Sequence, residues 1–285
     1  MGFAKVYSGQ TRFLAGQIID IEIDLSKGLH AFSIVGLPDK AIEEARDRVS
    51  AAIKNSGFKS PKYKNQKVVI SLAPADIKKT GPAFDLAIAV GYLLAAEEIN
   101  FNPTKKLFLG ELSLDGKLRP ITGTLAIVSE AKKFGFTDIY VSQENVEEAT
   151  LVGGVKIFGA RSLSEIIFKL DRKIKSSESK KAFVQKYLRS TKKFDGEKVR
   201  VGNNSSNKNH NAKQQDDSEK IYLEEIKGQS LAKRALEIAA AGKHNILFTG
   251  PAGTGKTMLA KALRTIMPPI STEENLEIIS IHSLE

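Results

Sequence analysis

One run of eight residues constrains this 285-residue chain more than any other part of its sequence. The run follows a short apolar segment at 245–249. Directly after the run, the apolar periodicity of residues 258–263 predicts a helix. The run has the pattern G-x-x-x-x-G-K-T, and its residues are Gly250, Pro251, Ala252, Gly253, Thr254, Gly255, Lys256 and Thr257. A strand, this loop and a helix, in that order, form the structural context that gives the pattern its meaning.

The residue types in this loop predict a binding site for the phosphates of a nucleotide. Glycines let backbone N–H groups turn inward around phosphate oxygens, and the following helix adds the positive end of its dipole. Lys256 is expected to reach the β- and γ-phosphates, and the Thr257 hydroxyl to bind Mg²⁺. We therefore predict ATP and Mg²⁺ as cofactors, with 250–257 as the nucleotide site and Thr257 as the metal-binding residue.

The excess of basic residues lies in one segment of the chain. The formal net charge is +10, and residues 172–213 hold thirteen Lys and Arg against three acidic residues. Ser, Asn and Gln are frequent in the same region, so we expect domains at 1–170 and 221–285 joined by a basic, flexible linker at 171–220. A basic tract can bind nucleic acid by releasing counterions from phosphate, but a solvated linker explains the same composition.

The first 170 residues alternate strand-like and helix-like segments. Apolar periodicity predicts strands at 16–25, 32–35, 68–72, 139–141 and 155–158. It also predicts a helix capped by Asp39 and ending before Gly57, and further helices at 85–96, 124–134 and 163–170. Asp115-Gly116 predicts a two-residue hairpin turn between 107–112 and 117–118. We expect an α/β layer domain, and the pattern alone assigns it no chemistry.

Composition excludes several kinds of site. The chain has no cysteine, which excludes disulfides, a thiol nucleophile and Cys-ligated zinc or iron–sulfur centres. Its four histidines are scattered, and none forms a pair at metal-ligand spacing. The longest apolar run, 86–96, is too short to span a bilayer, and the N-terminus lacks the order of a signal peptide. We therefore expect a cytoplasmic protein with no membrane partner.

Beyond the phosphate loop, the sequence resembles the magnesium-chelatase-like AAA+ ATPases, the family of ComM and YifB. Towards the C-terminus the matching stretches are Gly228-Gln229, 232–242, His244-Asn245 and 250–260. Towards the N-terminus they are SIVGLP at 33–38, LAPAD at 72–76 and FDL at 84–86. The resemblance covers nearly all of the chain except the predicted linker. It implies an α+β N-terminal domain of the ribosomal-S5-domain-2-like fold, similar to the peptidase domain of Lon, followed by the first part of a P-loop AAA+ NTPase domain.

The similarity to Lon does not extend to peptidase chemistry. Lon-type catalysis needs a serine nucleophile and a lysine that takes its proton. Where Lon has Gly-Pro-Ser, this chain has Gly81-Pro82-Ala83, and the pattern that begins at Gly110 places Leu125 at the position of the lysine. Because both positions are apolar, we expect a catalytically silent domain that acts as a scaffold or interaction module.

The resemblance also implies a function for the intact protein. It would be a homo-hexameric, ATP-driven motor acting on branched or single-stranded DNA, with branch migration in natural transformation as the specific case. One alternative is a motor subunit for metal insertion into a porphyrin, against which the Lon-like domain argues; another is a non-catalytic interaction module. After Thr257 there is no apolar strand ending in acidic residues, so we expect an N-terminal fragment that binds ATP but hydrolyses it poorly.

Overall fold

The computed structural model of the chain describes residues 2–63, 65–171 and 221–282. Their contacts separate into two compact units: the first contains the described residues up to Asp171, and the second contains most of those from Ile221 onward. The predicted linker at 171–220 lies, apart from Asp171, outside the described residues. The division into domains at 1–170 and 221–285 therefore stays a prediction.

A seven-stranded mixed sheet organises the first unit. Its strands are β1 (Gly2–Arg12), β2 (Ala15–Lys27), β3 (Ala31–Val35), β4 (Gln66–Ala73), β5 (Lys106–Phe108), β8 (Asp138–Ser142) and β9 (Lys156–Ala160). They lie in the order β3-β4-β2-β1-β5-β8-β9. The pairs β1–β2 and β2–β4 are antiparallel and the other neighbouring pairs are parallel. A separate ladder joins β6 (Glu111–Leu112) to β7 (Leu118–Arg119).

Five helices cover this sheet. They are α1 (Lys40–Asn55), α2 (Asp85–Ala95), α3 (Thr124–Lys133), α4 (Val146–Thr150) and α5 (Leu163–Leu170). Asp39 caps α1 as expected, since its Oδ1 accepts a hydrogen bond from the N–H of Ile42 at 2.9 Å. One apolar cluster contains buried residues of α1, α2 and α5, and a second contains those of α3. The sheet strands contribute to both clusters, so the sheet buries apolar side chains on each face, and the predicted mixed α/β class is confirmed.

Two details of the first unit differ from the sequence expectations. The sequence did not indicate β1, because its inward positions include polar side chains that the fold satisfies internally: the hydroxyl of Ser8 is buried and donates to the carbonyl of Phe108 at 2.8 Å. The turn at Asp115-Gly116 was predicted to contain two residues. The ladder instead begins at the pair Leu112 and Leu118, so a longer connection, closed by a 3.0 Å bond from Ser113 N–H to the Lys117 carbonyl, joins β6 to β7.

The second unit is built around a small apolar cluster. It contains α6 (Ser230–Gly242) and α7 (Lys256–Ile266). A further helix, α8, spans Thr272–His282, and the division between the units falls within it. The buried members of the cluster are Ile226, Leu236, Leu259 and Ala262. None of the helices in the described part of the chain combines the length and apolar character needed to cross a membrane.

The strand predicted at 245–249 is not formed. Ile246 and Phe248 pack against the cluster of the second unit, whereas Leu247 between them is 86% exposed, so the alternation of a half-buried strand is present. A strand also needs a neighbour to pair with its backbone N–H and C=O groups, and no described residue pairs with this segment. The prediction was wrong for that reason.

Candidate nucleotide-binding site

The predicted phosphate loop, 250–257, leads directly into α7. Helix α7 begins at Lys256, and the N–H of Leu259 donates to the carbonyl of Gly255 at 3.0 Å, which closes the first helical turn. Leu259 and Ala262 are buried in one cluster with Leu236 of α6. The loop is therefore attached to the N-terminus of a helix whose apolar face is packed, an arrangement that directs free backbone N–H groups towards the loop.

Two glycines of the loop hold conformations that other residues adopt with strain. Gly253 has a φ of 81° and Gly255 a φ of 83°, both in the left-handed region. A Cβ at either position would meet no atom within 4 Å, so the backbone conformation selects glycine there and local crowding does not. These turns bend the chain back on itself, which is the geometry that a loop surrounding an anion requires.

The Lys256 side chain folds back over the loop. Its Nζ donates to the carbonyl oxygens of Gly250 at 2.9 Å and Pro251 at 2.5 Å, and lies 3.3 Å from Oγ1 of Thr254. The Thr254 hydroxyl also donates to the carbonyl of Pro251 at 3.0 Å. The ammonium group is thus held at the loop by weak neutral acceptors, for which an anion would be a stronger replacement.

Thr257 lies in the first turn of α7 with an exposed side chain. Its hydroxyl is accessible at the end of the helix where the loop arrives, so it can contribute one oxygen ligand to a cation. Among the described residues no group of three or more His, Asp or Glu side chains is arranged to hold a metal ion. A magnesium ion at this loop would therefore take its other ligands from phosphate and water, as Mg²⁺ does in phosphate-binding loops.

All eight predicted residues lie in this one loop and helix turn, and their arrangement fits a polyphosphate. The left-handed glycines, the helix N-terminus and a single ammonium group meet on a surface that is half-buried to exposed. The assignment of these eight residues to a nucleotide site stays a prediction.

The two positions that correspond to the Lon dyad lie in the first unit and carry no reactive group. Ala83 is buried in a short turn before α2, and Leu125 is buried in α3. Lys79, a lysine close to this turn in sequence, is fully buried and donates to the carbonyl of Pro74, while burial lowers its pKa. Its amine is therefore engaged by the backbone.

A buried ion pair beside this turn was not found from the sequence. Arg48 of α1 donates from Nε to Oδ2 of Asp85 at 2.8 Å and from Nη2 to Oδ1 at 3.1 Å. The N–H of Leu112 also donates to Oδ2 of Asp85, at 3.2 Å. Burial raises the pKa of Asp85 to about 6, against the opposing effect of Arg48. The partners are 37 positions apart and follow no motif, so only the fold brings them together.

Two family models match the chain. One, described as subunit ChlI of Mg-chelatase, matches residues 21–145, and the other, described as magnesium chelatase, subunit ChlI, matches residues 222–285. Together they cover about two thirds of the chain, including strands β3 to β8 of the first unit and the phosphate loop.

Curated relatives agree with these matches. Competence protein ComM of Haemophilus influenzae is 35% identical over 285 residues, which is 100% of this chain and 50% of that protein. YifB of Escherichia coli is 39% identical over 267 residues, 93% of this chain and 46% of that protein. The chain belongs to the magnesium-chelatase-like ComM/YifB family, and it spans about half the length of these relatives.

A more distant similarity covers a smaller part of the chain. The DNA repair protein RadA of Streptococcus pneumoniae is 33% identical over 94 residues, which is 33% of this chain and 22% of that protein.

Proposed function

We propose that residues 250–257 bind the phosphates of ATP together with Mg²⁺. The observation that carries this proposal is the Lys256 ammonium group, held by loop carbonyls at the N-terminus of α7 next to two left-handed glycines. Loop N–H groups would donate to phosphate oxygens, Lys256 would neutralise their charge, and Thr257 would bind the metal ion. Bound ATP would supply the free energy of phosphoryl transfer to the whole protein.

A fluorescent ATP analogue titrated into the 285-residue chain tests this proposal. With Mg²⁺ present we expect saturable binding, a loss of at least about tenfold in affinity for Lys256→Ala, and weaker dependence on Mg²⁺ for Thr257→Ala. Lys261→Ala is the matched control, because it removes one charge from the same helix outside the loop. Equal binding by the parent, Lys256→Ala and Lys261→Ala would contradict the proposal.

We further propose that the intact protein is a hexameric motor that uses ATP to act on DNA. Support comes from the names of two relatives, a competence protein and a DNA repair protein, and from the family match. The basic segment at 172–213 adds positive charge of the kind that binds phosphate backbones. Strand exchange on a branched DNA substrate by the full-length protein is the test; we expect it to need ATP and to be lost with Lys256→Ala.

Metal insertion is the second candidate function. Both family models carry the name of a magnesium chelatase subunit, and one of them matches 21–145, so the N-terminal domain no longer argues against this candidate. A porphyrin-dependent rise in ATP hydrolysis by the full-length protein would favour it. The same protein giving DNA-dependent hydrolysis without response to porphyrin would favour the motor.

A further inference from the structure

A cleft in the first unit lies beside the tip of the β1–β2 hairpin. Its volume is about 840 Å³, within the usual range for ligand sites. One wall is the hairpin tip and the start of β2, and the opposite wall is the end of α3 with the residues that follow it. Gly16 lets β2 approach the first turn of α3 closely, since a Cβ there would come within 2.3 Å of the Ala126 carbonyl oxygen.

Aromatic rings line both walls of this cleft. Phe13 at the hairpin tip is 86% exposed, and Phe134 after α3 is 68% exposed. Deeper in the cleft, Tyr7 and Phe136 meet edge to face with ring centroids 5.2 Å apart. The cleft therefore offers two accessible ring faces at its mouth and a rigid aromatic floor, which is how proteins provide stacking surfaces for planar ligands.

Phe13 occupies a backbone position that does not suit a bulky residue. Its φ is 55°, in the left-handed region, within a two-residue loop between Arg12 and Ala15. Asn, Asp or Gly fill such positions without the steric cost that a Cβ and a large ring impose. A phenylalanine that is both strained and exposed at this position indicates that its ring binds something at the surface.

The charges around the cleft leave its cations available. Arg12 lies with its guanidinium carbon 6.0 Å from the centroid of the Phe13 ring, and Lys105 lines the cleft from the other side. Neither side chain forms an ion pair within the described residues. The two acidic lining residues are already neutralised, Asp20 by Lys5 at 2.7 Å and Glu130 by Lys133 at 3.1 Å. An anionic ligand would pair with these two cations, whereas a neutral ligand would leave them unpaired.

We propose that this cleft binds single-stranded DNA. Unpaired bases stack on the rings of Phe13 and Phe134, and the phosphates between them lie near Arg12 and Lys105. Exposed aromatic rings beside cations are the usual means of holding single strands without sequence preference, and the faces of duplex bases are not accessible to such rings. The choice of DNA rests on the proposed action of the whole protein on DNA, but the binding needs no nucleotide at the phosphate loop.

A single tryptophan provides a local readout, because the chain has none of its own. In the Phe13→Trp variant of the 285-residue chain, indole emission should be quenched on adding an oligo(dT) of about 15 nucleotides, since a base stacks on the ring. Phe3→Trp is the matched control: Phe3 is on β1, is 66% exposed, and lies at the end of that strand away from the cleft. It should show no quenching, even though the basic segment is present in both variants.

Affinity measurements separate stacking from general electrostatic binding. Phe13→Ala and Phe134→Ala should each weaken oligo(dT) binding by about fivefold or more, whereas Phe3→Ala should not. Arg12→Gln and Lys105→Gln should each lower the slope of log affinity against log salt by about 0.7, the value for one contact with a single strand. Lys27→Gln, at the opposite end of β2, serves as their control.

Three results would overturn the proposal. The first is equal quenching of the Phe13→Trp and Phe3→Trp variants by oligo(dT). The second is equal quenching of Phe13→Trp by duplex and single strand, which would exclude base stacking. The third is Phe13→Trp emission that depends on protein concentration without DNA, which would assign the cleft to a second copy of the chain. Binding of the ATP analogue is scored separately, so failure here and failure at the phosphate loop are distinguishable.

Discussion

Arg48 and Asp85 show how much of the first unit depends on single side chains. The Asp85 carboxylate is almost completely buried, and two nitrogens of Arg48 and one backbone N–H satisfy its oxygens. Breaking a buried pair by removing one partner leaves an uncompensated charge, which costs much more than the pair itself contributes. This pair links α1 to the start of α2 beside Ala83, so it positions the turn that precedes α2.

Arg48→Met should destabilise the protein in a manner that depends on pH. The pKa of Asp85, already raised to about 6, rises further without Arg48. A carboxyl group with a raised folded-state pKa stabilises the fold below its unfolded pKa and loses that contribution as the pH rises through the folded value. We expect a loss of about 3 kcal/mol at pH 8 and a smaller loss at pH 5, where Asp85 can be neutral.

Urea unfolding at both pH values measures this difference. Arg46→Met is the control, because Arg46 lies on the same helix but is half-exposed, and its ion pair in the described part of the chain is a long one, to Asp47 at 3.7 Å. A penalty for Arg48→Met that is the same at pH 5 and pH 8 would mean that Asp85 is not the group responsible.

At the scale of elements, the β1–β2 hairpin and α3 form one packed assembly. Eleven residue pairs, from Gly2 and Leu25 to Arg12 and Ala15, fix the register of the hairpin. Helix α3 crosses it where glycines remove the side chains: a Cβ on Gly9 would come within 2.5 Å of Cγ2 of Ile127, and Gly16 is equally close to α3 backbone. The first turn of α3 is thereby held against the hairpin, and the other end of the same helix forms the opposite wall of the cleft.

Gly16→Ala tests that contact. The added methyl group would meet the Ala126 carbonyl oxygen at 2.3 Å, and neither backbone can move without disturbing the sheet. We expect a loss of about 3 kcal/mol in the free energy of unfolding, measured in urea, with oligo(dT) binding reduced as the cleft distorts. Ser26→Ala, at the far end of the same strand from the cleft, should change neither quantity. Unchanged stability for Gly16→Ala would show that α3 does not pack as closely as described.

The elements that could be predicted from sequence are those with a local signal. The β2 alternation, the Asp39 cap and the apolar helix at 85–95 each depend on neighbours in sequence, and the structure confirms them. Strand β1 could not be predicted, because its place between β2 and β5 is set by partners far along the chain and its polar inward groups are satisfied only after folding. The segment 245–249 failed for the converse reason: its local pattern was right, but pairing is not a local property.

The same distinction applies to the two sites. The residues of the phosphate loop are contiguous, so the motif names all of them. The cleft combines residues from β1, β2, the connection before β5 and the end of α3, which are spread over more than a hundred positions. Its one local signal is Phe13 and Leu14 between two strands that alternate, a bulky pair where a turn favours small or polar residues.

At the scale of the whole molecule, the two units differ greatly in the size of their cores. The first has two extensive apolar clusters, whereas the cluster of the second has four buried apolar residues among those the structure describes. Stability rises with the apolar area that folding removes from water, so the second unit should be much the less stable of the two. A ligand that binds only the folded form of the second unit should then have a large effect on it.

Calorimetry of the 285-residue chain should show two transitions. The lower transition, from the second unit, should move to higher temperature with Mg²⁺ and a non-hydrolysable ATP analogue, while the temperature of the upper transition stays fixed. At a hundredfold excess over the Kd, the analogue should add about 2.7 kcal/mol to the free energy of unfolding of the second unit. Leu236→Ala should weaken the lower transition alone, because Leu236 belongs to the cluster of the second unit. A single transition that moves as one with nucleotide would contradict independent units.

The eleven-pair register of the hairpin has one further consequence. Inserting or deleting a single residue in β1 or β2 would reverse which side chains face inward along the rest of that strand. Substitution can therefore change the side chains at the tip of the hairpin, but the lengths of its two strands cannot change without reversing which side chains face inward. Relatives that recognise different ligands at this position should differ there in residue type while keeping the same number of residues between the ends of the two strands.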